Sequence, residues 1–265
     1  MPWSNPSGQS PRFLQTRVPQ VPLLRPGFAL TSMLFLISAA TFFLSSSLLA
    51  QTTPTPPPPP PPAPRFAVVL DPAHGGDDTG AHLDSGQLEK ASNLILAARL
   101  RSLLAARGFQ VVMIRDADVS VDLDHRAEIA NHAKAIACLS LHTSESGSGI
   151  HLFAASLAPV QPARFLPWKT AQAAWETRSL AFAGAINSAL TQAAVSVTLG
   201  RIPLPGIESM TCPAISIEVG PVRDADGNIT TESDNPDYQA KISGVIAAAL
   251  LEWRSDPNRT ETRQP

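Results

Sequence analysis

From Arg65 onward, short apolar runs rich in branched residues alternate with longer segments whose apolar residues recur at helical spacing. This alternation narrows the fold to one class. "RFAVVLD" reads as a short buried strand, and Leu88 to Gly108, "LEKASNLILAARLRSLLAARG", carries Leu94, Ala97, Ala98, Leu100 and Leu104 at helical spacing with Gly108 as its stop. "FQVVMIR" is a second strand, "VDLDHRAEIANHAKA" a helix, and "IACLSLH" a third strand ending at His142. "GIHLFAA" reads as a fourth strand, Ser179 to Ala194 as a helix, "PAISIEVG" as a fifth strand and Tyr238 to Trp253 as a closing helix. Strands without polar alternation, most of them followed by a helix, predict an α/β fold: a mainly parallel twisted sheet with helices on both faces.

The chain in front of this domain is different in kind. Residues 1–27 are basic and proline-rich, with Arg12, Arg17 and Arg25 and no acidic residue; the first acidic residue is Asp71. Phe28 to Ala50 is uncharged over 23 residues, long enough to cross a bilayer at about 1.5 Å per residue. The arginines before it and their absence after it until Arg65 orient the N-terminus to the cytoplasm and everything beyond Ala50 to the outside. The segment reads equally as a cleaved signal peptide or as a transmembrane anchor, because small residues surround Ala50 while Leu48 stands where a small residue would be wanted. Residues 51–64 hold the run "TPTPPPPPPPAP", a polyproline II spacer. The domain proper is 65–255, followed by a polar tail, 256–265. Beyond residue 65 the count is 4 basic residues lower than the chain's 20, against all 22 acidic ones, which gives a mildly acidic domain and no basic face for a nucleic-acid partner.

Three candidate functional residues sit at or near the C-terminal ends of expected strands, where ligands gather in open α/β sheets: His74 in "VVLDPAHGGDDTGA", His142 and Glu218. Glu89 opens the helix after the His74 loop, close enough in sequence to fold back beside that histidine. Two imidazoles and one carboxylate make a facial set for Zn²⁺ with a position left for water, and a second carboxylate nearby could move protons. Each has an ordinary alternative: His74 as a loop cap, Glu89 as a carboxylate favoured by its helix N-terminus, His142 as a hydrogen-bonded strand-end histidine. Glu218 interrupts "AISIEVG", where a buried carboxylate is costly unless it is paired, metal-bound or solvated in a cleft.

These stretches, with "VDLDHRAEIANHAKAIACLSLHTS", "GIHLF" and "PAISIEVGPV" in order, resemble the zinc-dependent N-acetylmuramoyl-L-alanine amidases that cleave bacterial peptidoglycan. The resemblance implies their phosphorylase/hydrolase-like fold. It also implies that His74, Glu89 and His142 hold Zn²⁺, that Glu218 is the catalytic glutamate, and that peptidoglycan is the substrate in the periplasm or cell envelope. This sequence departs from the pattern at Ala73, where glycine is usual, at Ser144, where asparagine is common, and at Pro221, where an aromatic residue is usual. No departure removes an implied ligand. Because the domain could instead bind wall without cleaving it, or cut another amide as a zinc peptidase or deacetylase, the reaction is an expectation to test.

The remaining polar residues read more plainly. His125 and His132 lie two turns apart on one helix, too far for one metal, and read as solvated. His82 and His151 have no evident partner. Cys138 and Cys212 fall at strand positions and read as small buried hydrophobes, with export permitting one disulfide between them. Ala154 to Arg178, with Pro159, Pro162 and Pro167, reads as an extended loop, on which Trp168 and Trp175 either grip substrate or pack the loop down.

Overall fold

The computed structural model describes residues 66–158 and 167–255. The expected export segment, 28–50, the linker and the tail lie outside them. No helix among the described residues is long and apolar enough to cross a membrane. The strands are β1 Ala67–Pro72, β2 Gln110–Met113, β3 Ala137–Thr143, β4 Ile150–Ala155, β5 Val197–Ile202 and β6 Ala214–Val219, with a small hairpin of β7 Val222–Arg223 and β8 Ile229–Thr231. The helices are α1 Glu89–Ala105, α2 Leu123–His132, α3 Glu176–Gln192, α4 Pro205–Glu208 and α5 Pro236–Ser255.

The main sheet has the order β2-β1-β3-β6-β4-β5. β1, β2, β3 and β6 run parallel, and β4 and β5 run parallel to each other but antiparallel to the rest across the β4–β6 pairing. The sheet is therefore mixed and mostly parallel, as the strand–helix alternation predicts. β5 escapes a sequence reading. "VTLGRI" is an edge strand with one side in solvent, its Leu199 is 46% exposed, and Gly200 and Arg201 interrupt any apolar run.

The two sheet faces differ, and the difference positions the site. Val68 and Leu70 of β1, Leu139 and Leu141 of β3, and Ile215 and Ile217 of β6 point to the face covered by α1, α3 and α5, where they are almost fully buried. Each such side chain contributes roughly 1.5–3 kcal/mol. The alternate residues point to the other face. At its N-terminal end Ala67, Val69, Cys138 and Ala214 form a second, smaller core under α2 and α4. Further along the same strands the inward positions become polar: Asp71, Ser140, Ser216, His142 and Glu218. Strand period puts the polar residues of each strand on one face, and the order β1-β3-β6 sets the three strands side by side.

Two expectations are corrected. Cys138 and Cys212 are not free thiols but a disulfide, with Cα atoms 6.2 Å apart. The reason is topological: β3 and β6 are neighbours, and Cys138 lies opposite Ala214, two residues beyond Cys212. A closed loop with sequence separation 74 restricts the unfolded chain by about 4 kcal/mol in the chain-entropy description, with about 2–4 kcal/mol typical. Reduction, or Cys138→Ala with Cys212→Ala, is expected to lower Tm by about 5–15 °C; melts with and without reductant that superimpose would contradict the bridge. The second correction concerns Ala154 to Arg178. It is not wholly a loop, because Trp168–Ala174 forms a 3₁₀ helix and α3 begins at Glu176. Gln172 is fully buried within it and donates to the carbonyls of Met210 and Cys212 at 2.9 and 3.1 Å. Trp168 is 49% exposed, with Lys169 over its ring, and Trp175 is half-buried.

Candidate metal centre

Glu89 reaches the site because α1 starts beside the β1 loop. The Glu89 N–H donates to Ala81 O at 2.9 Å, and the Ala81 N–H donates back to Glu89 Oε2 at 2.9 Å. The buried stripe of α1 runs Glu89, Ser92, Asn93, Leu96, Ala97, Leu100, Leu104. It has helical spacing throughout, but its first turn is polar. Those polar members form a buried chain: Gln239 of α5 donates to Ser92 at 2.9 Å, Ser92 and Thr143 hydroxyls lie 3.0 Å apart, Thr143 donates to Asn93 Oδ1 at 2.8 Å, and Asn93 Nδ2 donates to Glu89 Oε1 at 3.3 Å.

His74 sits in a loop fixed from below. Its φ is 64°, a left-handed conformation unfavourable for a residue with a side chain. Two buried arginines hold it there. Arg126 of α2 pairs with Asp71 and donates to Pro72 O at 3.1 Å, His74 O at 2.8 Å and Val121 O at 2.9 Å. Arg115, after β2, donates to Pro72 O at 2.8 Å, Ala73 O at 2.9 Å and Lys90 O at 2.7 Å. Neither arginine was singled out by the sequence reading. The available signal was a charge on the buried stripe of α2, where Arg126 accompanies Ala127 and Ala130. Gly80 is needed for closeness as well as for its φ of 63°, since a Cβ there would lie 2.6 Å from Glu89 Oε2 and 2.7 Å from His74 Cδ2.

The result is convergence. His74 Nε2 lies 3.1 Å and His142 Nδ1 3.0 Å from the same oxygen, Glu89 Oε1. The rings meet edge to face with centroids 5.4 Å apart. One ligand atom from each of the three residues lies within 4.8 Å of the others. This donor set, two nitrogens and one carboxylate oxygen, suits a divalent ion such as Zn²⁺. Glu218 is not in the cluster. It lies directly opposite His142 on the adjacent strand, on the same face and half-buried. His125 and His132 are exposed on α2 as expected, and His151 bonds Thr198 at 2.7 Å, a partner the sequence did not suggest. A groove of about 520 Å³ opens beside the cluster, lined by the polar Asp71, Ser140 and Ser216 and by the apolar Leu123, Leu204 and Ile207.

The electrostatics of the cluster follow from its contacts. Burial pushes the Glu89 carboxyl up, but hydrogen bonds with His142 and His74, together with the Ala81 N–H, outweigh it and hold Glu89 well below the usual carboxylate range. The hydrogen bond to Glu89 raises the His74 imidazole above its ordinary value; burial opposes this, and Asp78, 2.9 Å from Nδ1, adds to it. A Zn²⁺ ion held by His74 would have to displace the proton so favoured there. Zinc affinity is therefore expected to fall with decreasing pH through this raised value, starting at a higher pH than for an unperturbed imidazole. Competition titrations between about pH 8 and 5 check this, and a constant affinity across that range would contradict it.

Fold and cluster together define a class: a mixed α/β domain with a His-Glu-His cluster that could hold a divalent metal at the C-terminal ends of its parallel strands. A family model described as N-acetylmuramoyl-L-alanine amidase matches residues 68–252, and the chain belongs to that family. Among curated relatives, the chain is 39% identical over 93 residues to N-acetylmuramoyl-L-alanine amidase AmiA of Escherichia coli (strain K12), covering 34% of this chain and 32% of that protein. It is 33% identical over 104 residues to the germination-specific N-acetylmuramoyl-L-alanine amidase of Bacillus subtilis (strain 168), covering 32% of this chain and 44% of that protein. The aligned segments thus span less than half of those relatives. An N-acetylmuramoyl-L-alanine amidase from Clostridium difficile 630 shares the fold with TM-score 0.56 and 24% identity, over 73% of this chain and 98% of that one. Ami1 from Mycobacterium smegmatis does so with TM-score 0.57 and 20% identity, over 72% and 97%.

Proposed function

We infer that this chain hydrolyses the amide joining N-acetylmuramic acid to the L-alanine of the stem peptide in peptidoglycan. The observation that carries the reading is the convergence of His74, Glu89 and His142 beside an open groove, with Glu218 across the strand pair, in a chain of the amidase family. His74, Glu89 and His142 would hold the metal. When bound, Zn²⁺ polarises the lactyl carbonyl and brings the pKa of water to about 7.

The protein supplies the rest. An unstrained amide resists hydrolysis because water is a weak nucleophile and an amine a poor leaving group. Glu218 accepts a proton as the water oxygen bonds to the carbonyl carbon, and returns a proton to the alanine nitrogen as the C–N bond breaks. Asp78 accepts the His74 Nδ1 proton and so keeps Nε2 directed at the centre. Asn93 and the Ala81 N–H hold the Glu89 carboxylate in place from behind. The apolar walls at Leu123, Leu204 and Ile207 limit water around the reacting carbonyl.

The reading extends to address and organisation. Residues 65–255 form the catalytic domain, held outside the cytoplasm by the segment 28–50, as signal peptide or as anchor, with 51–64 as the spacer. The charge asymmetry around that segment and the extracytoplasmic substrate support this.

Mass spectrometry of the soluble products after peptidoglycan is incubated with the full chain and Zn²⁺ tests the reaction. Intact stem peptides bearing a free L-alanine amine are expected. Disaccharides, or peptides cut internally, would replace the amidase with another hydrolase, and bound zinc with no product would indicate a wall-binding module.

A further inference from the structure

Glu218 has a second histidine beside it that the proposed chemistry does not use. Its register partner on β3 is His142, and its antiparallel partner on β4 is His151. Directly paired residues project to the same face, with Cβ atoms about 4.5–5.5 Å apart. His142, Glu218 and His151 therefore form one row across three adjacent strands, with the glutamate in the middle.

The His151 ring is held at one nitrogen and along one face. Its Nδ1 lies 2.7 Å from Thr198 Oγ1 on β5, and Phe153 stacks near it at 6.4 Å with an interplanar angle of 14°. Its Nε2 is buried with no hydrogen-bond partner. The ring edge is packed beneath the loop after β3, since a Cβ on Gly147 would lie 2.3 Å from Nε2, and one on Gly220, two residues past Glu218, would lie 3.6 Å away. A buried ring nitrogen without a partner is unfavourable, and such an atom on the residue paired in register with Glu218 points to a bond formed in the working state.

We propose that His151 is a positioning residue for Glu218. The Thr198 hydroxyl donates to Nδ1, which leaves the imidazole proton on Nε2, and Nε2–H donates to the Glu218 carboxylate when substrate fills the groove. That bond occupies one carboxylate oxygen and turns the other toward the water to be deprotonated. The row then reads Thr198, His151, Glu218, reaching Glu218 from the side opposite His142. This rests on the reading of Glu218 as the base.

The test compares full-length variants on a soluble N-acetylmuramoyl peptide, with zinc content and a thermal melt for each. His151→Ala is expected to lower kcat about 10- to 100-fold, the worth of a hydrogen bond to a charged group, with KM and zinc content near the parent's. His151→Gln, which again presents an N–H at similar reach, is expected to recover most of that loss. In a Glu218→Gln background His151→Ala should cost little more, because both act through the same group. Should His151→Ala melt well below the parent, Thr198→Val carries the comparison, with a smaller drop in kcat at unchanged KM. Parent-like kcat in His151→Ala, a Gln variant as slow as the Ala variant, or equal His151→Ala losses in both backgrounds would each overturn the proposal. A fully active Glu218→Gln single variant would instead remove the base reading itself, and this proposal with it.

Discussion

Glu218→Gln is expected to keep its zinc and its fold while turnover falls by about 10² to 10⁴, the usual worth of a positioned general base or acid. The glutamine keeps the size of the side chain and much of its hydrogen bonding, but it cannot take a proton from water. Glu89→Ala should behave differently. Its carboxylate oxygen is the point on which both imidazoles converge, so zinc content and activity should fall together, with partial recovery at high added zinc. Zinc analysis alongside kcat separates the two glutamates. Zinc loss from Glu218→Gln would make Glu218 a ligand, and full activity in that variant would require another base.

Arg126→Ala is expected to destabilise the domain by about 3–5 kcal/mol, because it leaves the buried Asp71 carboxylate without its counter-charge. For a domain of this size that is roughly 6–20 °C in Tm. The same guanidinium donates to Pro72 O and His74 O, so the loop carrying His74 loses the bonds that hold its left-handed backbone. Zinc affinity should fall as well, by about 10- to 100-fold, the range for groups that support a ligand from behind. Adding Asp71→Ala to Arg126→Ala should recover part of the stability, since no uncompensated buried charge remains. A melt of Arg126→Ala within a degree or two of the parent would show that the pair does not support the fold.

How far the sequence could be read depended on the range of the interactions involved. Helices α1 and α5 were legible because apolar residues recur at helical spacing along most of their length, and strands β1, β3 and β6 because they are short, largely apolar runs. β5 was not, because an edge strand half in solvent has no period to keep. His74, His142 and Glu218 were legible as residues at or just beyond strand ends. The support beneath them, Arg115, Arg126, Asn93 and Thr143, was not singled out. A polar residue on an apolar stripe can be noticed in a sequence, but what it touches cannot.

By itself the sequence determined the α/β class and the polar residues at the strand ends, because these follow from local periodicity and composition. Strand order decided the rest. Because β6 inserts between β3 and β4, Glu218 falls beside His142 on one side and His151 on the other, and Cys212 reaches Cys138. Because α1 folds back on the β1 loop, it is Glu89 that meets both imidazoles. Such meetings join residues far apart in the chain, and only the packed sheet, with helices and buried arginines closing its loops, brings them together.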